Sequence, residues 1–141
     1  MSGIKLFVAT KAFVEYNGKI LVIRESTKYV DGQNHGFYDI PGGRLEVGEN
    51  FLEALTREIN EEATLDVTVG QPFFVNEWRP VVRGEQWQVV GIFFHCKANN
   101  DAVIIGPDHD DAKWIDPEKY RDETVIENLY PAFEAYLAFR K

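Results

Sequence analysis

Three glutamates, Glu58, Glu61 and Glu62, stand three and four residues apart in the segment TREINEEATL. On a helix those spacings gather them into an arc of roughly 100° along one edge. Like charges so placed oppose one another by about a few tenths of a kcal/mol per pair, and the helix dipole also disfavours anions near its C-terminus. Relief requires positive charge. Arg57 reaches Glu61 at i+4, yet one guanidinium cannot neutralise three carboxylates. A hard divalent ion can, because Mg²⁺ takes oxygen ligands and commonly bridges protein carboxylates to substrate phosphates. An acidic triplet alone is ordinarily a solvated helix face. Here Gly42 and Gly43 lie just upstream, where a backbone without Cβ atoms lets carbonyls or amides approach an ion or phosphate closely.

The element that must carry these groups is a helix over 51–63. Leu52, Leu55 and Ile59 fall on one stripe at about 100° per residue, which predicts a core-facing side. Asn50 is its N-cap, and Glu53 sits where a capping-box side chain reaches back, so Glu53 has a structural explanation. Upstream, 4–16 and 19–24 are rich in Val, Ile, Leu and Phe, and Asn17-Gly18 between them predicts a β-hairpin. Residues 25–36 are polar and read as a loop, followed by a short strand over 37–40. Downstream, DVTVGQPFFVNEW and QWQVVGIFFHCKA predict neighbouring antiparallel strands divided by 80–85. A polar connector over 98–111 leads to a last strand at 112–115. Ile126, Leu129, Tyr130, Phe133 and Leu137 have helical spacing, with Pro131 tolerated in the first turn of a final helix. Strands on both sides of a central helix, with a second helix at the end, predict a mixed α/β or α+β layer fold.

Length and composition bound the rest. The 141 residues, 45% of them hydrophobic, fit one domain over 1–141 with a self-sufficient core. A net charge of −8 opposes binding to duplex nucleic acid or anionic membranes, so a phosphate ligand needs cations or local arginines. The single Cys96 lies in the apolar context GIFFHC, which predicts a buried, inert thiol and a reducing, cytoplasmic setting. LFVA is too short for a signal peptide, and no window approaches the roughly 18 apolar residues of a membrane helix.

The pattern Gly43, five residues, Glu49, seven residues, then Arg57-Glu58-Ile59-Asn60-Glu61-Glu62 resembles the Nudix box, and its spacing matches throughout. Tyr38-Asp39-Ile40-Pro41-Gly42 resembles the family's approach to that box, with Tyr38 where tryptophan is usual. Asp108-His109-Asp110-Asp111 before Trp114-Ile115 is similar to an acidic loop late in many members. Thr64 departs from the pattern, since the family has glycine two positions after the last glutamate. A β-branched residue resists the left-handed conformation, which predicts an altered or strained helix exit.

The resemblance implies an α/β/α sandwich with a central mixed sheet. It also implies a Mg²⁺-dependent or Mn²⁺-dependent pyrophosphohydrolase, in which water attacks a phosphorus within the pyrophosphate of a nucleoside diphosphate-linked substrate. By position, Glu58 and Glu62 are implied as metal ligands, Glu61 as ligand or general base, and the Gly42 carbonyl as a further ligand. Glu49 is a weaker catalytic candidate, and Arg57 orients the glutamates. Asp108, Asp110 and Asp111 are alternative sources of a base. Arg24, Tyr38, Arg44 and Arg79 are candidate substrate contacts, with Lys28 and Arg83 as further cations and Phe37, Trp78 and Trp87 as further rings. The compact chain resembles nucleoside-triphosphate clean-up members. The alternatives are an ADP-ribose pyrophosphatase, which Pro80 suggests by spacing, a nucleotide-sugar pyrophosphatase, an RNA-decapping enzyme, which the charge opposes, or a nucleotide-sensing module. Monomer and homodimer are both compatible with the sequence.

Overall fold

The computed structural model describes residues 3–29, 32 and 34–141. Val30, Asp31 and Gln33 of the expected 25–36 loop, with Met1 and Ser2, lie outside the described residues.

Strands β1 (Ile4–Tyr16) and β2 (Lys19–Glu25) form the expected hairpin, and Asn17 and Gly18 both take positive φ, 51° and 77°. The pairing lasts only from Tyr16↔Lys19 to Glu15↔Ile20. Beyond it, β3 (Tyr38–Asp39) pairs β2, and β4 (Gly42–Arg44) lies antiparallel on Ala9 to Lys11 of β1. The Pro-Gly-Gly turn is thereby fixed against the middle of β1. On its other edge β1 runs parallel to β7 (Glu85–Ala98) from Ile4↔Gln86 to Glu15↔Lys97.

The remaining pairings are antiparallel: β5 (Val67–Trp78) and β6 (Val81–Val82) on β7, and β8 (His109–Ile115) on β2. The eight strands make one mixed sheet. Pro72 is tolerated within β5 because this is an outer strand whose register shifts on both sides of it. Two expectations are corrected here. The 80–85 divider contains β6, which folds back on β7 through Arg83 and Gly84, both at positive φ. The last strand begins at His109, three residues earlier than expected, because Asp110 and Asp111 find partners across the sheet in Arg24 and Tyr38.

Helices cover both faces. Helix α1 (Phe51–Ala63) packs Leu55, Ile59 and Ala63 on Ala12, Val14, Leu21, Ile23 and Phe94. Helix α2 (Tyr130–Phe139) carries Pro131 in its first turn and packs Phe133 and Tyr136 against Phe13, Ile20 and Phe93. The 3₁₀ turns Pro117–Asp122 and Glu127–Leu129 precede it. Strand β2 thus sends Ile20 and Val22 to one layer and Leu21 and Ile23 to the other, as continuous apolar strands in doubly covered sheets do. This is the expected α/β/α arrangement. Leu55 and Ile59, each 0% exposed, contribute about 2 kcal/mol apiece by burial. Leu52 does not join that stripe and is 41% exposed. The buried face runs through Ala54, Leu55, Ile59 and Ala63, leaving the first turn outside.

Candidate active site

Gly42 and Gly43 are required by close approaches. Gly42 has φ 141°, and a Cβ there would lie 2.2 Å from the Thr10 carbonyl oxygen. At Gly43 a Cβ would stand 3.0 Å from the Glu58 carboxylate. The Gly42 N–H donates to Glu62 Oε1 at 3.0 Å, tying the turn to the acidic edge of α1.

Both ends of α1 are anchored. The Asn50 side chain accepts from the N–H groups of Leu52 and Glu53 at 3.0 and 3.1 Å, satisfying donors that a helix start leaves orphaned. At the exit, Thr64 adopts the left-handed conformation despite its branched side chain, with φ 55° and ψ 44°. That region is one a β-branched residue enters only with strain. Thr64 N–H donates to Asn60 O at 2.9 Å, and its hydroxyl donates to Ile104 O at 2.9 Å. Ile104 and Gly106 in turn donate their N–H groups to the Ala63 and Glu62 carbonyls. A Cβ on Gly106 would stand 2.5 Å from Glu61 O. The 104–106 segment therefore caps the turn that carries the glutamates.

Arg57 does more than reach Glu61. It grips Glu49 through Nη2 and Nε at 2.7 and 3.1 Å, while its Nη1 donates to Glu58 at 3.3 Å and Glu61 at 3.2 Å. These partners hold its guanidinium well above its usual range. The Glu46 N–H, then Arg57, hold Glu49 below the usual carboxylate range. Burial pushes Glu58 up, against the pull of Arg57. Burial also drives Glu62 up to about 8, outweighing the Gly42 N–H and Lys11.

Glu58, Glu61 and Glu62 open on a chamber of about 570 Å³, lined also by Gly42, Gly43, Glu25, Asp39, Asp108 and His109. Burial lowers the affinity of His109 for a proton, and its buried Nδ1 has no hydrogen-bond partner among the described residues. A second cavity of about 420 Å³ lies on the α2 side, walled by Trp78, Trp87, Pro80, Val89, Phe93 and Ile126, with Arg44, Arg79 and Asn128. The Arg44 guanidinium stacks on Phe7 and Trp87, 4.5 and 4.4 Å from their ring centres. Arg79 is paired with Glu77 at 2.8 Å. Lys11, Asn34, Asp39 and Gly43 line both spaces.

Not every candidate arrives. Arg24 pairs with Asp110 at 2.6 Å and Tyr38 is 6% exposed, its hydroxyl donating to Asp111. Neither lines either cavity, because β2 and β3 turn them toward β8. Asp110 and Asp111 are held by those partners, whereas Asp108 reaches the acidic chamber. Conversely, Lys11 and Asp39 were missed as site residues. The clue lay in VATKAFV, where a charge interrupts a strand buried on both faces.

The NUDIX domain profile matches residues 5–136. This chain belongs to the Nudix hydrolase family. It is similar to the CTP pyrophosphohydrolase of Escherichia coli (strain K12), with 26% identity over 140 residues, 96% of this chain and 95% of that protein. Similarity to the nucleoside triphosphatase NudI of the same organism is 30% over 96 residues, 59% of this chain and 64% of that protein. In fold it resembles the MutT protein from Methanosarcina mazei Go1, at a TM-score of 0.84 and 23% identity, over 97% of this chain and 96% of that one.

Nudix hydrolases generally use divalent metal ions, and the Nudix box of this chain fits such a group. Its donors are all oxygens, as a hard cation requires. Two of its carboxylates are partly buried beside further anions, which disfavours their charged forms until a cation arrives. Among the described residues, no three such side chains are gathered at ligand distance. Arg57 draws Glu58 and Glu61 one way while the Gly42 N–H holds Glu62.

Proposed function

We propose that this chain is a single Nudix hydrolase domain that cleaves a phosphoanhydride bond of a nucleoside triphosphate. Water adds to one phosphorus, the bridging oxygen leaves with the other, and a proton is released. The observation that supports this assignment is that an aromatic cavity and a carboxylate chamber lie side by side, with Lys11, Asp39 and Gly43 lining both. The first suits the flat, apolar face of a base. The second suits phosphates accompanied by Mg²⁺, or Mn²⁺ in its place.

Glu58, Glu62, Glu61 and the Gly42 carbonyl would hold the metal. When bound, it supplies positive charge to the phosphate oxygens as electrons move to the leaving group. Arg57 orients Glu58 and Glu61, and Glu49 anchors Arg57, so both act as positioning residues. Glu61, on the solvent side of the cluster, accepts the proton of the attacking water; Asp108 is the alternative base. Arg44 and Arg79 flank the nucleoside, while Arg24 and Tyr38 belong to the β2–β8 framework. The setting is cytoplasmic, where Cys96, buried with its thiol pushed up to about 12, stays reduced. The ligand is a small nucleotide rather than nucleic acid or membrane, and the protein acts as a monomer or homodimer.

A panel of nucleoside triphosphates, nucleotide sugars, ADP-ribose, dinucleotides and dinucleoside polyphosphates, assayed with Mg²⁺ and Mn²⁺, tests the assignment. Fastest release of nucleoside monophosphate and pyrophosphate from a triphosphate supports it. Preference for ADP-ribose or a nucleotide sugar would replace the substrate class. Binding of nucleotide with no hydrolysis under any condition would leave a sensing module instead.

A further inference from the structure

Lys11 stands where an apolar residue belongs. Along β1, Phe7, Ala9, Lys11 and Phe13 alternate onto the α2 side, with Phe13 0% exposed in the core and Lys11 itself 9% exposed. Its register partners are Gly42 on β4 and Phe93 on β7, so its backbone is fixed on both edges. A lysine in such a place loses hydration and side-chain freedom, costs that an apolar residue would avoid. Among the described residues its ammonium has one ion pair, with Asp39 Oδ2 at 3.2 Å. That distance is long for a charge-assisted bond, normally roughly 2.7–2.9 Å, and the Asp39 carboxylate also accepts from the Ile40 N–H at 2.7 Å. Asp39 is therefore partly served without Lys11, and a packing role accounts poorly for the charge.

Position accounts for it better. Lys11 lines both the aromatic cavity and the carboxylate chamber. A molecule with a base in the first and reacting phosphates in the second must pass the residues common to both linings, the Lys11 ammonium among them. We propose that Lys11 is a substrate-binding residue that contacts the phosphate joined to the nucleoside, and so distinguishes nucleotides from uncharged nucleosides. This rests on the assignment of the two chambers to nucleoside and phosphates. Lys11 lines the same chamber as Glu58 and Glu62, so its positive charge also opposes a metal ion until substrate arrives. An arriving phosphate takes over part of the ammonium's field, and the carboxylates are left to the metal. Phosphate recognition and metal retention are thereby coupled through one side chain.

The test compares wild type with Lys11→Met, which keeps the stem without the charge, and with Lys11→Arg and Asp39→Asn. Binding is followed by tryptophan fluorescence, since Trp78 and Trp87 line the cavity, using the triphosphate that wild type binds best and the matching nucleoside. Lys11→Met should weaken the triphosphate roughly ten- to hundredfold, as loss of a charged hydrogen bond does, while nucleoside binding stays within about twofold. Lys11→Arg should recover most of the loss, and Asp39→Asn should not reproduce its selectivity. Calorimetric Mg²⁺ affinity of Lys11→Met without nucleotide should equal or exceed that of wild type. Equal losses for nucleotide and nucleoside, or no loss for either, would overturn the proposal. Should Lys11→Met fail to fold, Lys11→Gln, which keeps a donor for Asp39 without the charge, is judged by the same ratio. Wild type that binds a nucleotide but cleaves none refutes the hydrolytic assignment while the binding ratio still decides Lys11; wild type that binds no nucleotide overturns both.

Discussion

The carboxylate chamber and the aromatic cavity share a wall yet are built in opposite ways. The chamber's main groups come from one short stretch, Gly42 to Glu62, folded back on itself by Arg57 and the Gly42–Glu62 hydrogen bond. The cavity is gathered from β1, β4, β5, β6, β7 and the turn before α2. In the first, charge decides the energetics, and half-buried anions remain unbalanced until a cation binds. In the second, stacking and exclusion of water decide, and the Arg44 guanidinium sits over the rings of Phe7 and Trp87. On the proposed function, chemistry is localised in one contiguous segment, while the choice of substrate is distributed over the sheet.

The sharpest way to break this division is Glu62→Gln. Turnover should fall roughly a hundred- to thousandfold, the scale of losing one charge-stabilising group, with KM for the nucleotide little changed. Metal-free Tm near pH 8 should hold or rise, because a buried anion is replaced by a neutral amide. A large KM effect with normal turnover would place Glu62 on the wrong side of the comparison. Trp87→Leu is the complementary change. Loss of a stacking face of about 1–3 kcal/mol should raise KM at least severalfold and leave saturated turnover within a few-fold, as steady-state kinetics will show.

How far the sequence discloses each region follows from the same contrast. The glutamate edge is legible because helical periodicity relates Glu58, Glu61 and Glu62 within five residues, and the two glycines announce a close approach. The hairpin at Asn17-Gly18 is legible because those residues tolerate positive φ. Lys11 and Asp39 were hidden since long-range pairing, β1 with β4 and β2 with β3, fixes the strands that carry them, and no local period encodes that meeting. Arg24 and Tyr38 misled because strand pairing, not residue type, turns them toward β8. Thr64 was legible as a conflict with left-handed geometry, but its hydroxyl anchor on Ile104, forty residues away, was not.

Acidity gives a third, smaller effect on the chamber. Glu62 takes up its proton at about 8 in the folded chain, against an ordinary carboxylate value when unfolded. The native state therefore holds a proton that the unfolded chain releases, and stability falls as pH rises from about 5 to 8. Metal-free melts should drop by a few degrees across that window, and Mg²⁺ should raise Tm more at pH 8 than at pH 5. Glu62→Gln should flatten both trends; an unchanged slope would show that another group is responsible.

The smallest effect is expected at Thr64. Thr64→Gly relieves left-handed strain of about 1–2 kcal/mol but loses a hydroxyl bond of about 1 kcal/mol and gains unfolded-state freedom, leaving denaturant stability within about 1 kcal/mol of wild type. Thr64→Val keeps the strain without the bond and should be the less stable of the two.

The central claim is that one nucleotide spans both regions, base against the tryptophans and phosphates among the glutamates. Crystals grown with Mn²⁺ and a non-hydrolysable nucleoside triphosphate test it directly through anomalous scattering. A manganese peak is expected among Glu58, Glu61 and Glu62, with the base between Trp78 and Trp87. Manganese bound elsewhere, or a base lying outside the aromatic cavity, would contradict it.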